Sequence, residues 1–390
     1  MQNSHLMGNY GTRALTLVRG QGSRVWDDQG KDYLDAVAGL AVCGLGHCHP
    51  AVTEALVNQA ASLVHCSNLF NIPWQKELGD RLSRISGLEK AFFCNSGTEA
   101  NEAAIKLCRL FGHSQNIESP QILVCEGAFH GRSLGALSAT WGSKARNGFA
   151  PLLEGFAHIP YGDIKAIEQF STENTVAVML EPIQGEAGVV IPPPGYLKAL
   201  RAICDTHGWL LVLDEIQTGN ARTGSYFAFQ QMGVTPDILT TAKGLGNGLP
   251  IGACLATAEI AELLVPGTHG TTFGGNPLVS RVACAVIDSI EKEDLCTRAT
   301  ELGAWILKSL QQELKDIAQV VEIRGRGMML AIELSGPCAD LVAIAAEAGL
   351  IINVTGGNRI RLLPPLTLSD SEAQLLVETL CPIIKNWEPS

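Results

Sequence analysis

The chain has 390 residues, 46% hydrophobic and 17% charged; that is enough apolar material for a large buried core and rules out bulk disorder. A net charge of −11 with no run of Lys and Arg argues against nucleic acid as a partner and for solubility. No stretch reaches the roughly 20 apolar residues of a membrane span, and the twelve cysteines, scattered without a Cys-x-x-Cys pair, are expected to be reduced and mostly buried.

At roughly 100–200 residues per domain, the length predicts two or three domains. Met1–Arg13 is polar and lacks an apolar leader core, which points to a cytosolic enzyme. Gly46-His47-Cys48-His49-Pro50 invites a metal reading, but no second cluster completes a site. Helix entry at Pro50 accounts for the segment better, so no metal is expected. Ala91–Cys94 reads as a strand, and it leads through Asn95-Ser96-Gly97-Thr98-Glu99 into an apolar-periodic helix reaching Leu110. Ser96 and Glu99 have capping-box spacing. The same helix start suits an anion, with Gly97 allowing close backbone approach and Thr98 offering a hydroxyl; the two readings are compatible.

Gln121–Cys125, Val176–Leu180, Leu210–Leu213 and Ile238–Thr241 are further strands, most of them ending in polar or Gly-rich segments. That rhythm predicts an α/β fold with a largely parallel sheet and a ligand site at the carboxyl ends of its strands. Beyond this centre, Arg298–Leu314 is helical and Val320–Leu334 reads as strands around Gly325 and Gly327. Asp340–Ala348 is helical, Arg359–Leu363 a strand, and Ser369–Asn386 a closing helix. The expected division is a large domain over 46–285 and a smaller α+β domain over 286–390, joined by the N-terminal segment 1–45.

The polar residues at the strand ends carry the chemistry. Lys243 follows an apolar strand and precedes a glycine-rich turn; desolvated there, its amine becomes a usable nucleophile for Schiff-base chemistry. A strand-capping lysine in solvent is the plainer alternative. Asp214 ends the run Trp209–Leu213, where a carboxylate is costly unless it meets a cation or caps the next helix. A pyridinium nitrogen is one such cation, and Gln217 could donate to a phenolic oxygen on the same ring. In Ala128-Phe129-His130-Gly131-Arg132, Phe129 could stack on that ring and Arg132 clamp a carboxylate, although a lone Phe is more often core and a lone Arg more often surface. Glu181, Glu186 and Arg361 are either structural ion pairs or a carboxylate-reading arginine with its mask.

Taken in order along the chain, these segments resemble the class-III (ornithine-type) aminotransferases, from about Tyr10 to about Leu376. The shared elements include Gly46-His47-Cys48-His49-Pro50, Asn95–Asn101, Phe129–Arg132, Glu181–Glu186, Asp214–Gly219, Ala242-Lys243-Gly244 and Thr271–Pro277. The resemblance implies fold type I of the pyridoxal-phosphate enzymes, with a mostly parallel seven-stranded sheet plus a smaller α+β domain. It implies pyridoxal 5′-phosphate as cofactor, Lys243 as the Schiff-base lysine and proton shuttle, and Asp214 on the pyridine nitrogen. Gly97 and Thr98 would bind phosphate, and Thr272 would reach the phosphate of the neighbouring subunit of a homodimer. Phe129 and Ile216 would pack on the ring, with Glu215 and Gln217 from the same turn also touching the cofactor.

Within the family the pattern is most similar to members acting on N2-acetylornithine in arginine biosynthesis. Arg132 and Thr271 would then hold that substrate, and Arg361 would hold the α-carboxylate of glutamate or 2-oxoglutarate, with Glu186 masking it in between. Ornithine-specific members carry a tyrosine where this chain has Leu40, and commonly Trp where it has His130; both differences favour an acylated amine. Succinyldiaminopimelate, succinylornithine, ornithine and 4-aminobutyrate stay open as donors, and a non-catalytic cofactor-binding regulator is the alternative outside the enzymes.

Overall fold

The structure, a computed structural model, describes residues 5–10 and 13–388. Three strands open the chain, β1 (Leu17–Gln21), β2 (Arg24–Asp27) and β3 (Asp32–Asp35). The central strands are β4 (Lys90–Cys94), β5 (Gln121–Cys125), β6 (Phe156–Ile159), β7 (Thr175–Leu180), β8 (Leu210–Asp214), β9 (Ile238–Thr241) and β10 (Gly252–Ala256). The last are β11 (Val320–Arg326), β12 (Met329–Leu334), β13 (Leu350–Ile351), β14 (Asn353–Thr355) and β15 (Arg359–Leu362).

The seven central strands form one sheet in the order β4-β10-β9-β8-β7-β5-β6. Only β10 runs against its neighbours, so β4, β5, β6, β7, β8 and β9 end on one edge. β7 and β8 are buried at every position, as strands covered on both faces must be. Alternation then splits one strand between two cores. Ile122 and Val124 of β5 pack with Leu107, Met179 and Val212 on one face, while Leu123 and Cys125 join Leu180, Leu211 and Leu213 on the other.

The helix Gly97–Ser114 packs on β9 and β10 through small residues, Ala100, Ala103 and Ala104, which let it lie close to the sheet. β10 was invisible in the sequence because Gly-Ala-Cys-Leu-Ala has no β-branched residue.

The smaller domain carries a second, antiparallel sheet, β11-β12-β15-β14. β1, β2 and β3 form a third with β13, which pairs parallel to β3. The closing helix runs Asp370–Lys385 behind a full capping box of Ser369 and Glu372. Pro50 opens the helix Pro50–Ala60 as expected; His47 bonds Asp35 and His49 faces Glu293. Eight of the twelve cysteines are buried and all twelve are free thiols. No helix among the described residues is long and apolar enough to cross a membrane.

Candidate active site

The edge where the six parallel strands end opens onto a cavity of about 420 Å³. Its walls include Gly97, Thr98, Phe129, Asp214, Ile216 and Lys243. Gln217, Glu186, Glu181 and Arg132 line it as well, so residues spread over 147 positions from 97 to 243 meet in one space because their strands are parallel neighbours.

Asp214 ends β8 at 3% exposure. Its Oδ2 accepts Asn101 Nδ2 and His130 Nδ1, each at 2.7 Å, and its Oδ1 accepts the Ile216 amide at 3.0 Å. Burial alone would depress the His130 imidazole; the Asp214 carboxylate outweighs it and raises His130 above its ordinary value. Asn101 is locked in turn, donating to the His130 carbonyl at 2.6 Å and accepting from Thr240 at 2.8 Å. Neither residue was expected from the sequence as a partner of Asp214. The available signal was an asparagine inside an alanine-rich helix, where only a buried hydrogen bond offsets its poor propensity.

Lys243 begins a short 3-10 turn with φ of 46°, an uncommon conformation for a side-chain-bearing residue that clusters at functional sites. Its amine has no hydrogen-bond or ion-pair partner among the described residues. Burial lowers its pKa, with the Glu186 carboxylate pulling the other way.

At the start of the helix Gly97–Ser114, Ser96 accepts the Glu99 amide. The expected box is not closed on Ser96; the Glu99 carboxylate takes the Asn95 amide instead, at 2.8 Å. A Cβ on Gly97 would stand 2.7 Å from Ile216 Cδ1, so any larger residue there would have to push Ile216 aside. Thr98 Oγ1 accepts the Arg132 and Ser133 amides, both at 3.2 Å.

Arg132 is exposed, its guanidinium 5.3 Å from the centre of the Phe129 ring. Arg361 is the reverse, at 1% exposure, and pairs with Glu186 at 2.7 Å. Burial would raise the Glu186 carboxyl, but Arg361 outweighs it and holds it below the usual range. Glu181 accepts the Phe129 and Gly185 amides, both at 3.1 Å, and burial beside Asp214 pushes its carboxyl up to about 7.

Not every predicted residue lines the cavity. Glu215 does not line the cavity. Its carboxylate turns into the core to accept the Ala228 and Phe229 amides, both at 2.8 Å, and the Thr218 hydroxyl at 2.6 Å, so it caps the next helix. Gln217 presents its oxygen to Arg361 at 3.2 Å and its amide to Glu186 at 3.5 Å, not to a free acceptor position. Thr271 bonds Asn95 Nδ2 at 3.1 Å outside the cavity lining, and Thr272 is exposed. His130 directs Nδ1 to Asp214, so its difference from Trp bears on the carboxylate before it bears on substrate. Leu40 lies in a left-handed turn, with positive φ from Ala38 through Ala41, and it is Val42 from the end of this turn that lines the cavity.

The arrangement fits a phosphorylated aromatic aldehyde. A helix start with a glycine packed against Ile216 suits its dianion, a buried carboxylate suits its ring nitrogen, and an unpartnered amine suits its carbonyl. The fold and this site together define a fold type I pyridoxal-phosphate enzyme. Residues 7–384 match the class-III aminotransferase family, and the chain belongs to it. An acetylornithine aminotransferase of Nitrosomonas europaea is 50% identical over 383 residues, 98% of each chain. An ornithine aminotransferase of Toxoplasma gondii, its structure showing partial occupancy of PLP at the active site, superposes with a TM-score of 0.93 at 35% identity, over 96% of this chain and 91% of that one. The acetylornithine aminotransferase of Elizabethkingia anophelis gives 0.88 at 35% identity over 98% and 97%.

Proposed function

We propose that this enzyme moves the ω-amino group of N2-acetyl-L-ornithine to 2-oxoglutarate, giving N-acetylglutamate 5-semialdehyde and glutamate, a step of arginine biosynthesis. The observation that carries the reading is the Glu186–Arg361 pair at 2.7 Å, whose Glu186 lines the cavity that holds Lys243, with a second arginine, Arg132, exposed at the same cavity. One donor must place its α-carboxylate far from the reacting carbon and the other must place it close. Two arginines, only one of them masked, meet that demand.

Pyridoxal phosphate, when bound, supplies an electrophilic carbonyl and a protonated ring that withdraws electrons from the amine-bearing carbon. Lys243 Nζ takes the proton from that carbon, and its burial keeps the amine available as a base at lower pH than a solvated lysine allows. Asp214 keeps the ring nitrogen protonated, with His130 and Asn101 fixing its carboxylate. Gly97 and Thr98 hold the phosphate, and Phe129 and Ile216 confine the ring. Arg132 grips the distal carboxylate of acetylornithine, and Arg361 grips glutamate after Glu186 swings aside.

Thr271 and Thr272, outside this chain's own cavity lining, act across a homodimer interface, Thr272 on the neighbour's phosphate and Thr271 near its substrate. Residues 13–45 and 286–388 make one body and 46–285 the other, and the enzyme works in the cytoplasm. Steady-state rates with acetylornithine, ornithine, succinylornithine, succinyldiaminopimelate and 4-aminobutyrate test the donor. A kcat/KM for any other donor above that for acetylornithine overturns the assignment.

A further inference from the structure

The pair Glu186–Arg361 needs a frame. When Glu186 withdraws, the arginine has to stay in place without its counter-ion, and when the ω-amine enters, Glu186 has to find it again. We propose that the edge strand β14 is this frame, with Asn353 as the positioning residue for the Arg361 guanidinium and Thr355 as the pin for the Glu186 main chain. The inference rests on the reading of Arg361 as the dicarboxylate site.

Strand register brings it about. β14 runs antiparallel to β15, with Asn353 directly opposite Arg361 and Thr355 opposite Arg359. Cross-strand partners project on one face, and residues two apart on a strand share that face. Asn353 therefore stands beside Arg361, and Thr355 stands one step further along the same surface. On the other flank the partner of Arg361 is Ala331, too small to compete for it.

The hydrogen bonds use this layout. Asn353 Oδ1 accepts from Arg361 Nε at 3.1 Å and from Nη2 at 2.8 Å. Nη1 serves Glu186 at 2.7 Å and Gln217 at 3.2 Å. A guanidinium has five N–H donors in a rigid plane. Asn353 fills the Nε–Nη2 edge with one neutral oxygen and leaves one Nη2 hydrogen unused. Once Glu186 leaves, that hydrogen and an Nη1 hydrogen remain for an incoming carboxylate, and the plane has not turned. A carboxylate in place of Asn353 would neutralise the arginine permanently; the neutral amide holds it without spending its charge.

Thr355 Oγ1 donates to the Glu186 carbonyl oxygen. With the backbone tied to β14, opening needs only side-chain rotation of Glu186, and the carboxylate returns to the same position. Asn353 and Thr355 thus act on opposite halves of one gate, and their removal has opposite consequences.

The test uses holoenzyme and glutarate, a five-carbon dicarboxylate with no keto or amino group to react, measured by titration calorimetry alongside KM for each half-reaction. Asn353→Ala is expected to weaken glutarate roughly tenfold or more, the scale set by hydrogen bonds to a charged group, and to raise KM for 2-oxoglutarate with it while KM for acetylornithine holds. Thr355→Val, which removes only a hydroxyl, is expected to tighten glutarate by about threefold, the scale of one neutral hydrogen bond, and to raise KM for acetylornithine. Arg361→Ala separates the levels. If it leaves glutarate binding unchanged, the dicarboxylate reading itself fails. If it abolishes binding while Asn353→Ala is silent or harms both half-reactions equally, the frame fails and the reading stands. Effects of the same sign in the Asn353 and Thr355 variants also overturn the frame.

Discussion

Asp214→Asn is the substitution whose effect follows most directly from the geometry. The two Asp214 oxygens accept three donors, two on Oδ2 from Asn101 and His130 and one on Oδ1 from Ile216. Asparagine offers one accepting oxygen and one NH2. Its better orientation keeps the oxygen on the pair and sets NH2 against the Ile216 N–H. Asn101 cannot flip to help, because its nitrogen is also held by the His130 carbonyl and its oxygen by Thr240. One buried donor is left unsatisfied, which costs about 1–3 kcal/mol of stability. In catalysis, a charged, desolvated contact to the ring nitrogen becomes neutral, a loss of about 2–5 kcal/mol and hence about 30- to 4,000-fold in turnover.

The His130 titration changes too. A histidine raised by its carboxylate partner contributes stability that is full below its unfolded pKa, about 6.5, and that is lost as pH rises through the raised native value. Asp214→Asn should remove that pH-dependent part and lower the His130 pKa, read by NMR titration, thermal melts across pH and single-turnover rates. A variant with wild-type turnover and an unmoved His130 would make Asp214 a cap for the Ile216 amide and nothing more.

Four further outcomes are expected. Lys243→Ala should fold and show no turnover, and borohydride reduction of the wild type followed by peptide mapping should label Lys243; a label on another lysine refutes its role. Arg361→Ala should cripple the half-reaction with glutamate by about 30-fold or more relative to that with acetylornithine, from the scale of a lost bidentate contact, whereas Arg132→Ala should be less selective; equal losses for Arg361→Ala in both half-reactions would leave it a structural ion-pair partner. The rate of proton removal should rise with pH through a Lys243 pKa below the ordinary lysine value, and a rise only near 10.4, the value of a solvated lysine, would contradict the burial argument. Gly97→Ala should weaken cofactor binding without unfolding the helix, since its Cβ would crowd Ile216; unchanged affinity in a fluorescence titration of apoenzyme would show that Ile216 yields freely.

The sequence by itself determined the parallel strands and the chemistry at their ends, because both are local. A buried strand is an apolar run, and the turn after it carries the residue types its backbone and ligand require, so Asp214, Lys243 and the Ser96-Gly97-Thr98 start were legible in place. The closing helix was likewise legible in place, and the structure shows Ser369 and Glu372 capping its start. Only the tertiary structure decided which of those residues face the cavity. Glu215 and Asp214 are adjacent, yet one caps a helix in the core and the other lines the site, because neighbouring residues leave a strand end in opposite directions. The partners of Asp214 come from a helix and a loop that the sheet order alone brings together. The frame of Asn353 and Thr355 depends on a strand register between β14 and β15, and a shift of one residue would have turned both side chains to the other face. Nothing in the composition of a three-residue edge strand specifies that register; it appears only in the pairing of β14 with β15.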